Sequence, residues 1–455
     1  MAALIQFTAT FIGSMISILT FDIGSEMSLS IDMLDWISLS FLLIVISTSV
    51  PLGKLVTHFG IKRYTKFNII LLIFGLILSA VSVDASMLLI SRVIQGISVS
   101  TLLISIYLII VKQIPDNKLG RALGIVGSCG YVGMSLAPAL AGYLSVYSWR
   151  YAFLFAVPLC LAVLILLLNI DKEWVGEKHP INIKGSIIYF LSISLFIVGL
   201  NDIDEYGLIA LVISIILFII LIKSEKNKEN AMLNISLLKN FKLLIADYSA
   251  FVSYFITYIA CYLLCIYLQA FLGLDSDFSG LILLVTPLVM VLVSPFSGRW
   301  ADKYDSRLLS CLAMLILTAV MAMFYYVEIF PLEGIIVILI IQGIGHAMFS
   351  PPNNRYALTI VDSEEVNDAT AILTTSKEFG KTCSIALFTV IFTILIGNNV
   401  TVFEEIGDFV DCYNILMVIS IILSLSSAVL LLYSKYKYDE DTNFEILNFL
   451  KSIIS

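Results

Sequence analysis

Apolar runs of about 18 to 25 residues recur along the whole chain, and no other feature narrows its possible folds so far. Each run can cross a hydrocarbon core of roughly 30 Å as an α-helix. Backbone N–H and C=O groups find no water inside that core, so a spanning segment must be a helix or a strand of a closed barrel. Barrel strands would alternate polar and apolar residues, and these runs do not. Of the 455 residues 60% are hydrophobic and 13% charged, with a mean hydropathy of +1.01, which excludes a soluble globular class. The reading is an all-α polytopic membrane protein with fourteen spans. They lie near 3–22, 36–57, 67–84, 87–112, 121–145, 150–170, 185–201, 206–223, 243–271, 279–298, 307–327, 333–353, 369–397 and 412–434.

A pattern repeats about 245 residues apart. The first copy is Pro51, Gly53, Lys54, Gly60, Lys62 and Arg63; the second is Pro295, Gly298, Arg299, Asp302, Lys303 and Arg307. A second string follows each glycine by about 42 to 44 residues, from Ile94 to Ile97 and from Ile341 to Ile344, both reading Ile-Gln-Gly-Ile. Two markers at nearly equal spacing imply two homologous membrane halves with a site between them. The expected division is a six-helix bundle over 1–170, a linker with two inserted spans over 171–242, a second six-helix bundle over 243–434, and a cytoplasmic tail over 435–455. Thr442 and Glu445 have capping-box spacing, and Ile446, Leu447, Leu450, Ile453 and Ile454 share a stripe, so the tail is expected to be an amphipathic helix.

Lys and Arg set the orientation. With the N-terminus inside, the inner joints hold Lys62, Arg63, Lys66, Lys112, Lys118, Arg121, Lys184, Lys223, Lys239, Lys242, Arg299, Lys303, Arg307 and Arg355, among others. The outer joints are acidic, and Arg150 is the one basic residue in them. Both termini are therefore expected in the cytoplasm. Span 1 begins almost at Met1 without a basic leader or a small-residue cleavage site, and is expected to be retained. The seven cysteines are scattered, and His58, His179 and His346 are isolated, so neither a disulfide framework nor a metal site is expected, and no cofactor motif is found.

Several of these strings together resemble the major facilitator superfamily. Gly53 to Arg63 resembles its signature between helices 2 and 3, and Arg92, Gln95 and Gly96 resemble its helix 4 signature. Gly124, Gly133, Pro138 and Gly142 keep the spacing of its helix 5 antiporter signature, with Ala137 and Ala141 where glycines are usual. Trp149, Arg150, Phe153, Val157 and Pro158 resemble the fourteen-helix drug:proton antiporter branch, as do Tyr267, Leu268, Gln269, Thr286, Pro287 and the stretch from Pro295 to Arg307. The resemblance implies the major facilitator fold, two six-helix bundles plus two inserted helices. Two departures stand out. Thr57 takes the place of an acid in the first signature, and Gly13 takes the place of an acid usual in the middle of helix 1.

Candidate site residues follow from cost and spacing. Gly53 and Gly298 suit close helix approach at the inner surface. Asp302 can accept hydrogen bonds from a neighbouring helix N-terminus and pair with an arginine, forming a gate latch; Thr57 offers no charge, so a latch there is expected to be weaker. Arg92 inside span 4 costs at least about 2.5–3.5 kcal/mol, and Gln95 shares its face. Asp247, Phe251, Tyr254, Tyr258, Tyr262, Cys265 and Gln269 line one face of span 9, which suits flat amphiphiles and cations. Gln342 and His346 lie one turn apart in span 12. Lys377, Glu378 and Lys381 lie in span 13, and Glu378 and Asp247 are the acids left to carry a proton when helix 1 supplies none.

The expected function is export of an amphipathic organic compound, cations included, by alternating access with proton antiport (multidrug-type efflux) from the plasma membrane. A facilitator for an amino acid, peptide or other metabolite is the alternative, and a non-transporting sensor or scaffold is the reading from another class. The expected partners are a small-molecule substrate, a proton or other coupling ion and the lipid bilayer, with no nucleic acid and a monomeric state. No nucleophile–base pair or phosphate loop points to an enzyme.

Overall fold

The computed structural model describes residues 1–29, 31–169, 173–174, 182–201, 205–226, 231–232, 237–395 and 406–438. Among the described residues the regular elements are all helical. They are α1 (Ala2–Met27), α2 (Ile31–Phe59), α3 (Ile61–Ala80), α4 (Ala85–Gln113), α5 (Leu119–Ser145), α6 (Arg150–Leu168), α7 (Ile183–Asn201) and α8 (Glu205–Glu225). They continue with α9 (Phe241–Ala270), α10 (Ser276–Leu283), α11 (Val285–Ala301), α12 (Ser306–Tyr325), α13 (Leu332–Thr359), α14 (Val366–Leu395) and α15 (Ile406–Tyr438). Fourteen stretches among them are long and apolar enough to span a membrane.

Two boundaries depart from the hydropathy reading. Span 10 is interrupted after Leu283 and continues as α11 from Val285. Pro287 lacks the N–H that would bond the Leu283 carbonyl. Helix α3 starts at Ile61, ahead of its apolar run, so Lys62, Arg63 and Lys66 lie on the helix. Gly60 permits this start with a φ of +99°, a conformation that side-chain-bearing residues rarely adopt. Glu173 then accepts hydrogen bonds from the N–H groups of Lys62 (2.9 Å) and Arg63 (3.1 Å), which have no partner within the helix. The expected amphipathic tail around Thr442 and Glu445 lies outside the described residues, as does His179.

The helices form two compact units. One comprises residues 1–113, 126–238 and 362–378; the other comprises 114–125, 239–361 and 379–455. Within the first, α4 packs on α1, α2 and α3, α6 packs on α1 and α3, and α7 packs on α2 and α8. Within the second, α13 packs on α9, α11 and α12, and α15 packs on α9 and α12. Matching α1 to α9, α2 to α11, α3 to α12, α4 to α13 and α6 to α15 turns one scheme into the other, so the sequence repeat is also a packing repeat. The first unit leaves apolar stripes exposed, as lipid-facing helices must. Phe67, Ile70, Phe74 and Ile77 form one on α3, and Leu208, Val212, Ile215 and Ile219 form another on α8.

Helix α5 belongs to both units and is built for close contact. A side chain at Gly124 would run into the Ser294 backbone oxygen and lie 3.1 Å from the Gly298 Cα on α11. One at Gly133 would run into the Phe7 carbonyl and the Thr10 hydroxyl on α1, where Thr10 also donates to the Gly130 carbonyl at 2.9 Å. Gly142 meets only an ordinary contact with Ile18. Gly133→Ala should therefore destabilise the purified protein by about 1–3 kcal/mol, visible as a lower melting temperature in detergent. Gly280→Ala, with no neighbour within 4 Å inside α10, should not lower the melting temperature.

Candidate functional site

At one end of the second unit, the repeated motif places a carboxylate on a helix start. Asp302 follows α11, and its two oxygens accept from the backbone N–H groups of Gly120 (2.7 Å) and Arg121 (2.8 Å) in the first turn of α5. Those amides have no partner within their own helix, and the helix dipole adds its positive end. Arg355 of α13 brings Nε within 3.4 Å of Asp302, an ion-pair distance though poorly aligned for a hydrogen bond, and donates from Nη2 to the Asp116 carbonyl at 3.5 Å. Gly298 makes this approach possible, since any side chain there would strike the Gly120 carbonyl. Arg299 instead stacks over Phe296 at 5.7 Å.

Arg307 serves a neighbouring carboxylate. Asp305 caps α12, accepts from the Arg307 N–H and Nη2 at 2.7 Å and from Nε at 3.1 Å, and is reached by Lys435 of α15 at 3.1 Å. Burial alone would raise the Asp305 carboxyl, but Arg307 and Lys435 outweigh it and hold it at about 2, so it stays charged across the physiological range.

The first unit ties its motif end differently. Thr57 donates only to the Lys54 carbonyl of its own helix, at 3.2 Å. The tie is made by Lys54 itself, which pairs with Asp368 in the first turn of α14. The carboxylate here sits on the helix whose N-terminus it complements, and the base comes from the motif helix, so the signs are reversed relative to the second unit. Gly53 meets Ala371 and Ile104 only at ordinary contact distance. Lys62 and Arg63 face Glu173, with the Arg63 Nε at 3.9 Å.

Arg92 of α4 is fully buried. Its Nη1 donates to Gln95 at 2.8 Å, and its guanidinium lies 4.3 Å over the Phe41 ring. Gln95 in turn donates to Ser79 at 2.8 Å and to the Gly75 carbonyl at 3.2 Å, which fixes its oxygen toward the arginine. The Arg92 Nε and Nη2 have no hydrogen-bond partner among the described residues. Gly13 of α1 lies beside the same Phe41 ring, where an added Cβ would be 3.5 Å away. The missing helix 1 acid and the uncompensated arginine thus flank one ring.

In the second unit α9 turns its polar stripe away from its core. Val252, Phe255, Ile256, Ile259, Leu263 and Leu264 are buried, whereas Tyr258 and Tyr262 are 40% and 37% exposed. Tyr254 meets the His346 ring edge-on at 4.9 Å and carries Lys381 over its face at 5.3 Å. Tyr262 packs on Phe388, and Gln269 donates to Cys265. Buried His346 holds Nδ1 at 3.1 Å from Ser253 and 3.2 Å from Thr257, both on α9. Gln342 accepts from Thr286 at 3.4 Å and donates to the Thr257 carbonyl at 3.4 Å. Asp247 is buried, one end of the stripe. Lys377, in the first unit, donates to Tyr107 at 3.0 Å, and Glu378 beside it is half-buried.

Sequence reading missed the partners Asp368, Glu173, Asp305, Lys435 and Glu26. Glu26 at the C-terminal end of α1 accepts from Trp149 at 2.6 Å and from Arg150 at 2.5 Å, while Arg150 also donates to the Ser82 carbonyl. The hydrogen bond from Arg150 holds the Glu26 carboxyl below its ordinary 4.5. This clamp is at full strength above that value and loosens as pH falls through the lower folded one.

A family model, the Major Facilitator Superfamily, matches residues 2–222 and 248–449. The chain belongs to the major facilitator superfamily. This major facilitator is 25% identical over 411 residues to the riboflavin transporter RibZ of Clostridioides difficile, covering 90% of this chain and 89% of that protein. It is 22% identical over 394 residues to the methylenomycin A resistance protein of Bacillus subtilis, covering 84% of each. Among solved structures, the human organic anion transporter MFSD10 aligns over 94% of this chain and 97% of its own, with a TM-score of 0.66 at 12% identity. The proton:xylose symporter XylE aligns over 96% and 94%, with a TM-score of 0.65 at 15% identity. These two establish the fold.

The two ties make separable predictions. Asp302→Asn should slow transport about tenfold, since it removes charge-assisted bonds to two amides, while Thr57→Ala should leave the rate within about twofold. Lys54→Ala should slow transport, and the exchange Lys54→Asp with Asp368→Lys should restore at least part of the loss. Initial rates in proteoliposomes, with a ligand found by thermal shift, measure all four. An equal, severe loss at Thr57 and Asp302 would remove charge as the explanation.

Proposed function

We propose that this major facilitator exports a flat, amphipathic organic compound across the plasma membrane by alternating access, coupled to proton entry. The observation that carries this reading is the polar and aromatic cluster of α9, α13 and α14, where Tyr254, Thr257, Gln342, His346 and Lys381 gather. Hydroxyls, an imidazole and exposed tyrosine rings suit stacking on a planar solute and hydrogen bonds at its polar edge. Lys381 beside Tyr254 in the second unit, and fully buried Arg92 in the first, each favour a solute rich in acceptors over a permanent cation. The Lys and Arg bias of the joints supports cytoplasmic termini, and the repeated packing scheme supports two rocking bundles with α7 and α8 as an added pair. The glycine-lined α5 supports export through its antiporter spacing.

The inner ties Asp302 on α5 and Lys54 with Asp368 are proposed to hold one gate state and to break in the other. Proton coupling is assigned to Asp247 or Glu378. A second reading has its own support: the match to a riboflavin transporter covers 90% of this chain, which favours a flat metabolite over a foreign drug as the solute.

Arg92→Ala should lower transport at least about tenfold while insertion and expression stay near normal, the loss expected when a charge-assisted contact to the solute is removed. Either Asp247→Asn or Glu378→Gln should uncouple solute movement from the pH gradient while binding remains measurable. Solute-driven proton movement in proteoliposomes reads both. Normal transport by Arg92→Ala would remove its role, and wild-type transport indifferent to pH would replace proton antiport by facilitated diffusion or another ion.

A further inference from the structure

An open pocket of about 420 Å³ in the second unit is lined from the start of α5 and the end of α11. Lys118, Arg121, Arg299 and Lys303 line it, together with Phe296 and Trp300. All four bases are exposed, and among the described residues none of them reaches a carboxylate at ion-pair distance. Asp302 is the acid in the lining, and its oxygens are already engaged by the α5 amides and by Arg355. Four like charges around one pocket repel one another, and an anion seated among them relieves that repulsion.

The apolar side chains beside the pocket decide which anion fits. On α11, exposed Leu288, Leu292, Phe296 and Trp300 follow one another at steps of four and share a face. Arg299 falls on that face, and Lys303 follows two residues after the helix ends. The α5 side has the same order on a shorter scale: Lys118 precedes the helix, Arg121 stands in its first turn, and exposed Ile125 comes one turn later. Both helices thus run from exposed apolar surface to bases, and on α11 two aromatic rings mark the boundary. Aromatic side chains in that position sit at the headgroup level of a bilayer. A free anion would use the bases alone, whereas a phospholipid uses the bases and the apolar stripe together. The close packing of α5 on α11 at Gly124 and Gly298 keeps the two sets of bases on one pocket.

We propose that this pocket binds the headgroup of an anionic phospholipid. Its phosphate is met by Lys118 and Arg121 from the α5 side and by Arg299 and Lys303 from the α11 side, and its acyl chains lie along Leu288 and Leu292. The guanidinium groups supply paired N–H donors to the phosphate oxygens. A zwitterionic headgroup would bring its own cation to a pocket that already holds four, so the anionic class is favoured. The lipid straddles the joint that Asp302 closes.

The test is the melting temperature of the purified full chain in detergent, titrated with phosphatidylglycerol, with phosphatidylcholine, and with inorganic phosphate at matched ionic strength. Phosphatidylglycerol should raise it, and the other two should not. Lys118→Gln and Arg299→Gln, one from each helix, should each weaken the apparent affinity for phosphatidylglycerol about fivefold, the factor that corresponds to one basic residue at an anionic lipid surface. The double variant should weaken it about twenty-five-fold. Both positions are exposed and unpaired with a carboxylate, so the variants should melt like wild type without lipid. Lys184→Gln, on α7 in the other unit, should keep the full affinity. No rise with phosphatidylglycerol, a rise that phosphatidylcholine or inorganic phosphate matches, or wild-type affinity in Lys118→Gln and Arg299→Gln overturns the proposal.

Discussion

Asp302 seated on the first amides of α5 is the interaction on which the rest of this end of the second unit depends. A carboxylate there satisfies two backbone donors that the helix cannot satisfy itself, meets the positive end of a dipole and draws in Arg355. Its geometry requires a glycine on each side, because the α5 and α11 backbones touch at Gly120, Gly124, Gly298 and Ser294. Moving either helix by the width of one side chain breaks the contact. A joint so tight and so dependent on charge suits the gate role proposed for it, because it is held or broken rather than gradually loosened.

The two halves solve the same problem with opposite signs. In the second unit the acid is on the motif helix and the amides come from its neighbour; in the first, Lys54 is on the motif helix and Asp368 lies in the first turn of α14. The loss of the acid at Thr57 therefore does not leave that end open. A related exchange surrounds Arg92. With Gly13 in place of an acid, the guanidinium rests on Phe41 and on Gln95, and two of its nitrogens remain unpaired among the described residues. The proposal of an acceptor-rich solute rests on this arrangement, since an unpaired guanidinium favours acceptors over another cation.

Much of the fold was legible because the membrane enforces simple rules: length and apolarity place fourteen spans, and the fourteen observed stretches follow them. The exceptions have local causes. Pro287 interrupts span 10, and Gly60 with Glu173 starts α3 ahead of its apolar run. In the site, Asp302 could be read as an acceptor for a helix start because an acid four residues after a close-packing glycine has few other uses. Asp368, Glu173 and Lys435 were not legible. Their partners lie 314, 111 and 130 residues away in the chain, and spacing carries no information about contacts of that kind. The polar stripe of α9 was visible from its period, but the rings beside it, from His346 and Phe388, required the packing of α13 and α14.

The central claim is that the α5 tie at Asp302 opens and closes as the protein works. Spin labels at positions 118 and 303, both on exposed residues flanking the tie, would report it as a distance distribution in proteoliposomes. The account predicts two populations, with the longer one growing in Asp302→Asn and with the ratio responding to pH or to a transported solute. A single distance, unmoved by Asp302→Asn, by pH and by solute, would contradict it.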